Sequence, residues 1–195
     1  MQQLDLAGFD RTDSTPRYRL FFALWPEAAV RAGIDAVARR LDAGFDSGGR
    51  RIQPHRYHLT LQFLGEHPED CRRVVDAACR AAERIRIPAF DLVLDRAGSF
   101  PIRSAPCWLG CAVMPDGLRA LWDGLGLALA RESIRTLSGK QLTPHVTVVR
   151  DAARRWPDTA LPLPVAWRVA AFSLLQSDMR QQFAYTELGR WTLRD

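Results

Sequence analysis

Two of the four histidines in this chain stand in the same short pattern of histidine, apolar residue, threonine and second apolar residue. The first copy is His58-Leu-Thr-Leu61 and the second is His145-Val-Thr-Val148. Alternate side chains of a β-strand point to the same face, so each copy presents an imidazole beside a hydroxyl. The same alternation predicts that Leu59, Leu61 and Phe63 share the opposite, apolar face. Two such strands facing each other would form a cleft containing two imidazoles and two hydroxyls.

Such a cleft suits the cleavage of a phosphodiester. In-line displacement at phosphorus needs a base that takes a proton from water and an acid that protonates the departing oxygen. The reference pKa of histidine, about 6.5, allows one ring to be neutral and the other protonated near neutral pH. Each positioned proton transfer accelerates a reaction by roughly 10²–10⁴-fold. Threonine hydroxyls can bind the non-bridging phosphate oxygens, and imidazolium and arginine can supply the positive charge, so no metal cofactor is predicted.

A single copy of this pattern is weak evidence, because threonine is common in strands and many histidines are only hydrogen-bonded bystanders. Two copies, one in each half of a chain with four histidines, are much stronger evidence. We therefore predict that His58 and His145 are catalytic and that Thr60 and Thr147 bind substrate.

Other possible sites have less support. A zinc site formed by His55, His58 and His67 is conceivable, but the strand offsets do not converge and no cysteine or carboxylate spacing supports it. The aromatic residues Tyr57 and Phe100 could stack on a nucleobase, although packing in the core is favoured. Arginines in two segments could line an approach for RNA or equally form solvated surface, namely Arg50, Arg51, Arg56 and Arg103.

The elements that must position these residues follow from the periodicity of apolar side chains. Strands are expected near residues 18–25, 56–64, 90–94, 107–113, 145–149, 167–175 and 183–188, and helices near 26–43, 68–85 and 118–129. A proline-rich loop is expected around Pro157, Pro162 and Pro164. The resulting order, β-α-β-α-β followed by β-α-β-β-β, is typical of an α+β fold rather than a doubly wound sheet.

Composition sets the limits of the fold and its surroundings. A chain of 195 residues that is 47% hydrophobic can form one domain with a sizeable core, which we expect at 18–195 after a flexible tail at 1–17. Its net charge of +5 comes almost entirely from arginine, which suits an anionic partner but also an ordinary solvated surface. No apolar run approaches the roughly 18 residues that span a bilayer, and the four cysteines form no CxxC pair. We therefore expect a cytoplasmic protein that does not bind a membrane.

At these motifs the sequence resembles the two-histidine phosphoesterases, and specifically the RNA 2′,3′-cyclic phosphodiesterases that were first described as 2′-5′ RNA ligases. The resemblance extends from Tyr18 to Leu193. It rests on Arg19-Leu-Phe-Phe-Ala-Leu-Trp-Pro26, His58-Leu-Thr-Leu-Gln-Phe-Leu-Gly65, Cys107-Trp-Leu-Gly110 and Thr143-Pro-His-Val-Thr-Val-Val-Arg150. It implies a bilobal, pseudo-twofold fold in which two antiparallel sheets flank a central cleft, with helices outside.

The resemblance also implies roles for individual residues. The second histidine, His145, would activate water and the first, His58, would protonate the 3′ oxygen, which opens the ring to a 2′-phosphate. Arg150 stands where the family has a phosphate-binding arginine. It is five positions from His145, so it can join the site only if the strand ends, twists or bulges between them. The implied partner is RNA with a cyclic phosphate end. Nothing in the sequence suggests an obligate protein partner, so we expect a monomer.

Two other functions fit the same cleft. Ligation of RNA ends through a 2′-5′ bond is the same chemistry in reverse, with a 5′-hydroxyl in place of water. A non-catalytic nucleotide- or RNA-binding module is the other alternative. The two complete motifs argue against it, because binding alone does not need two groups that transfer protons.

Overall fold

The computed structural model describes residues 17–68, 71–102, 104–139, 141–181 and 185–194. The predicted tail lies outside the described residues except for Arg17, whose backbone N–H donates to the carbonyl oxygen of His67 (2.7 Å). The first two residues of the predicted strand at 183–188 also lie outside them. No helix in the described ranges has both the length and the apolar character that crossing a membrane requires.

The described residues form nine strands, three α-helices and one 3₁₀ helix. In chain order they are β1 (Tyr18–Leu24), α1 (Ala28–Phe45), β2 (Arg50–Arg51), the 3₁₀ helix (Pro54–Arg56), β3 (Leu59–His67), α2 (Arg72–Ala82), β4 (Phe90–Ser99), β5 (Cys107–Gly110), α3 (Asp116–Arg131), β6 (His145–Arg150), β7 (Thr159–Val169), β8 (Ala171–Asp178) and β9 (Tyr185–Thr192). The α+β class predicted from the sequence is confirmed.

All nine strands belong to one antiparallel sheet with the order β7-β4-β5-β6-β3-β1-β8-β9, and β2 pairs with the free part of β6. Two four-stranded halves can be distinguished, β3-β1-β8-β9 and β6-β5-β4-β7. Between β3 and β6 the paired residues are Leu59 and Val146. Hydrogen bonding therefore joins the halves into a single sheet, whereas the family resemblance had implied two.

The two faces of the sheet differ in what covers them. On one face, the helices bury the main core, which includes Leu59 and Val146 together with Ile34 of α1 and Leu118 of α3. The other face has a much smaller cluster of buried side chains, Phe21, Ala23 and Leu175. Since the three helices of the described part of the chain leave this second face uncovered, polar side chains on it can meet a ligand.

Pro157 lies in a loop before β7, but Pro162 and Pro164 belong to a strand rather than to the predicted loop. Strand β7 includes Pro162 and Pro164 and lies at the edge of the sheet, where a residue without an N–H group leaves no ladder hydrogen bond broken. Its pairing with β4 also shifts register between Leu94 and Arg96, so the proline-containing stretch bulges. The strand predicted at 167–175 is correspondingly two strands, which meet at Ala170.

Candidate active site

A β-bulge lies at the last residue of the first motif. The register between β3 and β1 shifts by one residue between Thr60 and Gln62, which makes Leu61 the additional residue of β3. Leu61 and Gln62 are both buried, and Phe63 returns to the face that carries Thr60. The prediction that Phe63 shares a face with Leu59 and Leu61 is therefore wrong, because strict alternation does not continue through a bulge.

A second bulge lies at the equivalent residue of the second motif. Strand β6 pairs with β5 in a register that shifts between Thr147 and Val149, which makes Val148 the additional residue. Both valines are fully buried. The next residue, Arg150, is exposed and lies on the same face as His145. The bulge thus meets the geometric condition for Arg150 to join the site.

The two imidazoles are held in the same way. His58 lies directly before β3, and its Nδ1 is 2.8 Å from the carbonyl oxygen of Arg56. His145 is the first residue of β6, and its Nδ1 is 2.7 Å from the carbonyl oxygen of Thr143. A carbonyl oxygen can only accept, so Nδ1 carries the proton in each ring. The Nε2 atom of each neutral ring is left with a lone pair that can take a proton.

The segment before His58 is anchored to α1 and to the end of β1. Tyr57 is fully buried, and its hydroxyl donates to Asp35 Oδ1 (3.1 Å). The indole N–H of Trp25 donates to the carbonyl oxygen of His55 (3.2 Å). These contacts fix the backbone on both sides of Arg56, whose carbonyl oxygen orients the imidazole. Tyr57 is a core residue, as the sequence favoured.

Aromatic side chains border both histidines. The ring of His58 lies 5.0 Å from Phe21 and 5.1 Å from Tyr185, which it meets edge to face. His145 meets Phe100 edge to face at 4.9 Å. Contacts of this kind hold a ring in one orientation without using its nitrogen atoms. Phe100 therefore lies at the site, although the sequence favoured a place for it in the core.

Burial lowers the pKa of both histidines. The pKa of His58 falls to about 4, first because the ring is desolvated and then because Arg150, His145 and Arg56 add positive charge nearby. Its hydrogen bond to the carbonyl of Arg56 opposes this shift. Desolvation likewise lowers the pKa of His145, against the opposing hydrogen bond to Thr143. Both shifts favour the neutral form of the rings in the unliganded protein.

A cavity of about 210 Å³ opens beside the first histidine. Its lining combines catalytic candidates, aromatic rings and positive charge, in the residues Arg19, Phe21, Arg56, His58, Thr60, Phe63, Arg150, Ser177 and Tyr185. The structure thus brings together three predicted site residues, His58, Thr60 and Arg150. His145 and Thr147 are not part of this lining and lie on the neighbouring strand β6.

Sequence reasoning missed several residues of this cavity. Arg19 and Phe21 lie at alternate positions of β1 and therefore share a face. Because most residues of the strand are apolar, its sequence did not indicate that this face is open. Arg19 was the available signal, since a charged residue at an alternate position marks the face that is not covered. Tyr185 lies on β9, which is far from the motifs in sequence and reaches the site only through the strand order.

The histidine cluster considered for zinc is not assembled. Across the described ranges, no group of three or more histidine, cysteine, aspartate or glutamate side chains is placed to hold a metal ion. His58 Nδ1 and His67 Nε2 each contact a backbone carbonyl oxygen instead.

Comparisons with known proteins all find similarity to one family. The family model described as LigT like Phosphoesterase matches residues 24–108. An RNA 2′,3′-cyclic phosphodiesterase of Escherichia coli (strain K12) is 35% identical over 179 residues, which are 90% of this chain and 96% of that protein. A protein of the same name from Thermus thermophilus is 31% identical, over 90% of each chain.

A solved structure has the same overall fold. The crystal structure of E. coli LigT complexed with 3′-AMP superposes with a TM-score of 0.75 at 33% sequence identity. The match covers 92% of this chain and 99% of that one. The similarity therefore extends over nearly the whole of both chains.

Proposed function

We propose that this chain, which belongs to the LigT-like phosphoesterase family, hydrolyses the 2′,3′-cyclic phosphate at the end of an RNA to a 2′-phosphate. The names of two relatives, both RNA 2′,3′-cyclic phosphodiesterases, motivate the choice of substrate. The observation that carries the proposal is the matched pair His58 and His145. Each donates Nδ1–H to the carbonyl of the residue two positions earlier and keeps Nε2 for proton transfer.

In the proposed reaction, water attacks phosphorus while His145 Nε2 takes one of its protons. The bond between phosphorus and the 3′ oxygen breaks, and protonated His58 Nε2 delivers its proton to that oxygen. The products are a 2′-phosphomonoester and a free 3′-hydroxyl. Solvent then removes the proton from His145 and returns one to His58.

The free protein must gain a proton at His58 before it can act in this way. Three positive or titratable neighbours contribute to its low pKa, namely Arg150, His145 and Arg56. An anionic cyclic phosphate bound between them offsets their repulsion and stabilises the imidazolium form. Substrate binding therefore favours the protonation of His58, which makes it an acid. The negative charge responsible is that of the cyclic phosphate to be cleaved.

The remaining side chains orient the phosphate. The hydroxyls of Thr60 and Thr147 lie on the same face as the imidazoles and can donate to the non-bridging oxygens. Arg150, which the second bulge turns to this face, can bind the same oxygens with its guanidinium group. No metal ion takes part in the proposed reaction, since imidazolium and guanidinium supply the positive charge.

The two halves of the sheet act as the two predicted lobes in this proposal. Each half contributes one motif, and the pairing between them is limited to Leu59 and Val146. The line between β3 and β6 is then the floor of the cleft. The described residues form a single unit with one histidine on each side of the cleft. This arrangement suits a monomer that binds the end of an RNA.

The test is to incubate the protein, in excess EDTA, with an RNA that ends in a 2′,3′-cyclic phosphate, and to separate the 2′- and 3′-phosphate products by chromatography. We expect the 2′-phosphate and undiminished turnover. A 3′-phosphate product would contradict the assigned direction of opening, and loss of turnover in EDTA would contradict the metal-free mechanism. The double variant His58→Ala, His145→Ala serves as the inactive control.

A further inference from the structure

A second cavity, rich in arginine, continues from the one beside His58. It has a volume of about 160 Å³ and is lined by Arg19, Arg50, Arg56, Arg150, Ser177, Asp178 and Met179. Four of these residues, Arg19, Arg56, Arg150 and Ser177, line both cavities. The two cavities are therefore parts of one groove, and we call this second part the arginine end.

Acidic partners balance only some of the positive charge there. Arg19 pairs with Glu66 (2.9 Å) and Arg50 with Asp151 (3.6 Å). Asp178, the one acid among the described residues of the lining, forms an ion pair with Arg17 (3.3 Å). Within the described part of the chain, neither Arg56 nor Arg150 has an ion pair with an acid.

Like charges in one groove repel each other, and this arrangement is costly unless an anion binds between them. Arg56 and Arg150 therefore leave two guanidinium groups for a ligand at the arginine end.

Arg56 is held in place for such a ligand. Its guanidinium carbon lies 5.1 Å from the centre of the Tyr185 ring, and its Nη2 donates to the hydroxyl of the same tyrosine (3.4 Å). Its Nε is buried and has no hydrogen-bond partner among the residues that the structure describes. A buried N–H group without an acceptor is destabilising. A ligand oxygen that accepts a hydrogen bond from this N–H group removes that cost, which favours binding of the ligand.

We propose that the arginine end binds a second phosphate of the substrate, the one attached to the 5′ oxygen of the nucleotide whose cyclic phosphate is opened. This inference rests on the proposed function and narrows the class of substrate. An RNA end carries that phosphate as its last phosphodiester, whereas a nucleoside 2′,3′-cyclic phosphate lacks it. The preferred substrates are then oligonucleotides or 5′-phosphorylated nucleotides.

The chemistry of the site favours phosphate over a nucleobase. A guanidinium group offers a planar fork of donors that matches two phosphate oxygens. The face of Tyr185, which could otherwise stack on a base, already lies under Arg56. Arg56 is also only two residues before His58, and its carbonyl oxygen accepts a hydrogen bond from that ring. The arginine end therefore begins next to the reacting phosphate.

Binding tests this proposal without turnover. Isothermal titration calorimetry gives the Kd of 3′-AMP and of adenosine 3′,5′-bisphosphate, which differ only in the 5′-phosphate. We expect the wild-type protein to bind the bisphosphate about tenfold more tightly, as a charge-assisted hydrogen bond provides, and the variant Arg56→Gln to lose most of that preference. Arg168→Gln is the matched control, because it removes an exposed arginine of β7 that pairs with Asp91, outside the groove.

Kinetics separate this proposal from the proposed function. Adenosine 2′,3′-cyclic phosphate is compared with its 5′-phosphorylated form, and Arg56→Gln should lower kcat/KM mainly for the second. Equal affinity of the wild type for both calorimetric ligands, or an unchanged preference in Arg56→Gln, would overturn the second-phosphate site. Failure to hydrolyse an RNA that ends in a 2′,3′-cyclic phosphate would overturn the proposed function instead, while the ratio of the two calorimetric Kd values would still decide on the second-phosphate site.

Discussion

Leu59 and Val146 form the pair through which strand β3 joins strand β6, and a histidine precedes each of them in the chain. Both side chains are fully buried on the helix-covered face. Neighbouring residues of a strand point to opposite faces, so His58 and His145 emerge on the open face, one on each side of this pair. The junction between the halves of the sheet is thus also what sets the separation of the two imidazoles.

The same register relates each histidine to the threonine of the other motif. In an antiparallel pair, one step forward on a strand corresponds to one step back on its partner. Extending the pairing by one residue in each direction therefore brings His58 opposite Thr147, and Thr60 opposite His145. In the proposed site the two motifs therefore form two crossed pairs, each with one residue from either half of the sheet, rather than two independent motifs side by side.

Replacing either histidine by alanine should lower kcat/KM for an RNA 2′,3′-cyclic phosphate by about 10²–10⁴-fold, the usual contribution of a positioned proton transfer. The measurement is steady-state hydrolysis by His58→Ala and His145→Ala, with the melting temperature recorded to show that each variant is folded. His67→Ala is the control, since this histidine lies at the far end of β3 and contacts Leu64. Single variants that retain wild-type rates would contradict the two-histidine mechanism.

The roles of acid and base can be separated with a substrate in which sulfur replaces the 3′ oxygen. A thiol has a pKa of about 8.5 and leaves as the anion without help from an acid. The variant His58→Ala should therefore recover much of its lost rate on the sulfur substrate, while His145→Ala should not. Rescue of His145→Ala in place of His58→Ala would show that the two roles are reversed.

Much of the site could be predicted from sequence because its signal is local. The paired motifs identify His58 and His145, and the apolar residues between histidine and threonine already place each motif on a half-buried strand. The α+β class follows equally well from the order of the periodic segments. These inferences need only the nature of neighbouring side chains and the geometry of a strand.

The features that sequence did not reveal depend on pairing between distant strands. A bulge is an extra residue relative to a partner, so nothing in β3 alone shows that Leu61 is additional or that Phe63 turns to the site. The bulge at Val148 has the same effect on Arg150. Without the bulges, the residue five positions after each histidine would point into the main core. With them, one half of the sheet contributes an aromatic ring to the open face and the other a guanidinium group.

The glycine opposite His145 should resist substitution. Gly110 pairs with His145, and a Cβ atom there would lie 2.8 Å from the carbonyl oxygen of Pro144. Gly110→Ala should destabilise the protein by about 1–3 kcal/mol, as overpacking does, and should lower activity because Pro144 precedes His145.

The control for this substitution is Gly124→Ala. Gly124 lies within α3, where a Cβ would have no contact closer than 3.8 Å. Removing a glycine from a helix interior should stabilise the protein by about 0.5–1 kcal/mol. Denaturant unfolding measures both variants. A Gly110→Ala protein as stable and active as the wild type would show that this backbone can move at no cost.

Arg150 should affect both substrate binding and the proton equilibrium of His58. Removing its charge in Arg150→Gln should lower kcat/KM at least about tenfold, the contribution of a charge-assisted hydrogen bond. The same change should raise the pKa of His58, because Arg150 is one of the charges that lower it. NMR titration of the imidazole measures the second effect, and Arg168→Gln should change neither. An unaltered His58 titration would place Arg150 farther from the ring than this structure has it.

The buried state of His58 should also appear in the pH dependence of stability. Its pKa is about 4 in the folded protein and about 6.5 when the chain is unfolded. Between these values the unfolded chain binds a proton that the folded protein does not, so stability falls as the pH decreases from 6.5 to 4. The loss is on the order of 2–3 kcal/mol and is absent in His58→Gln, whose side chain does not titrate. Urea unfolding of both proteins at several pH values isolates this contribution, because the carboxylates are common to both. Parallel curves for the two proteins would show that the ring is protonated as easily in the folded state as in the unfolded one.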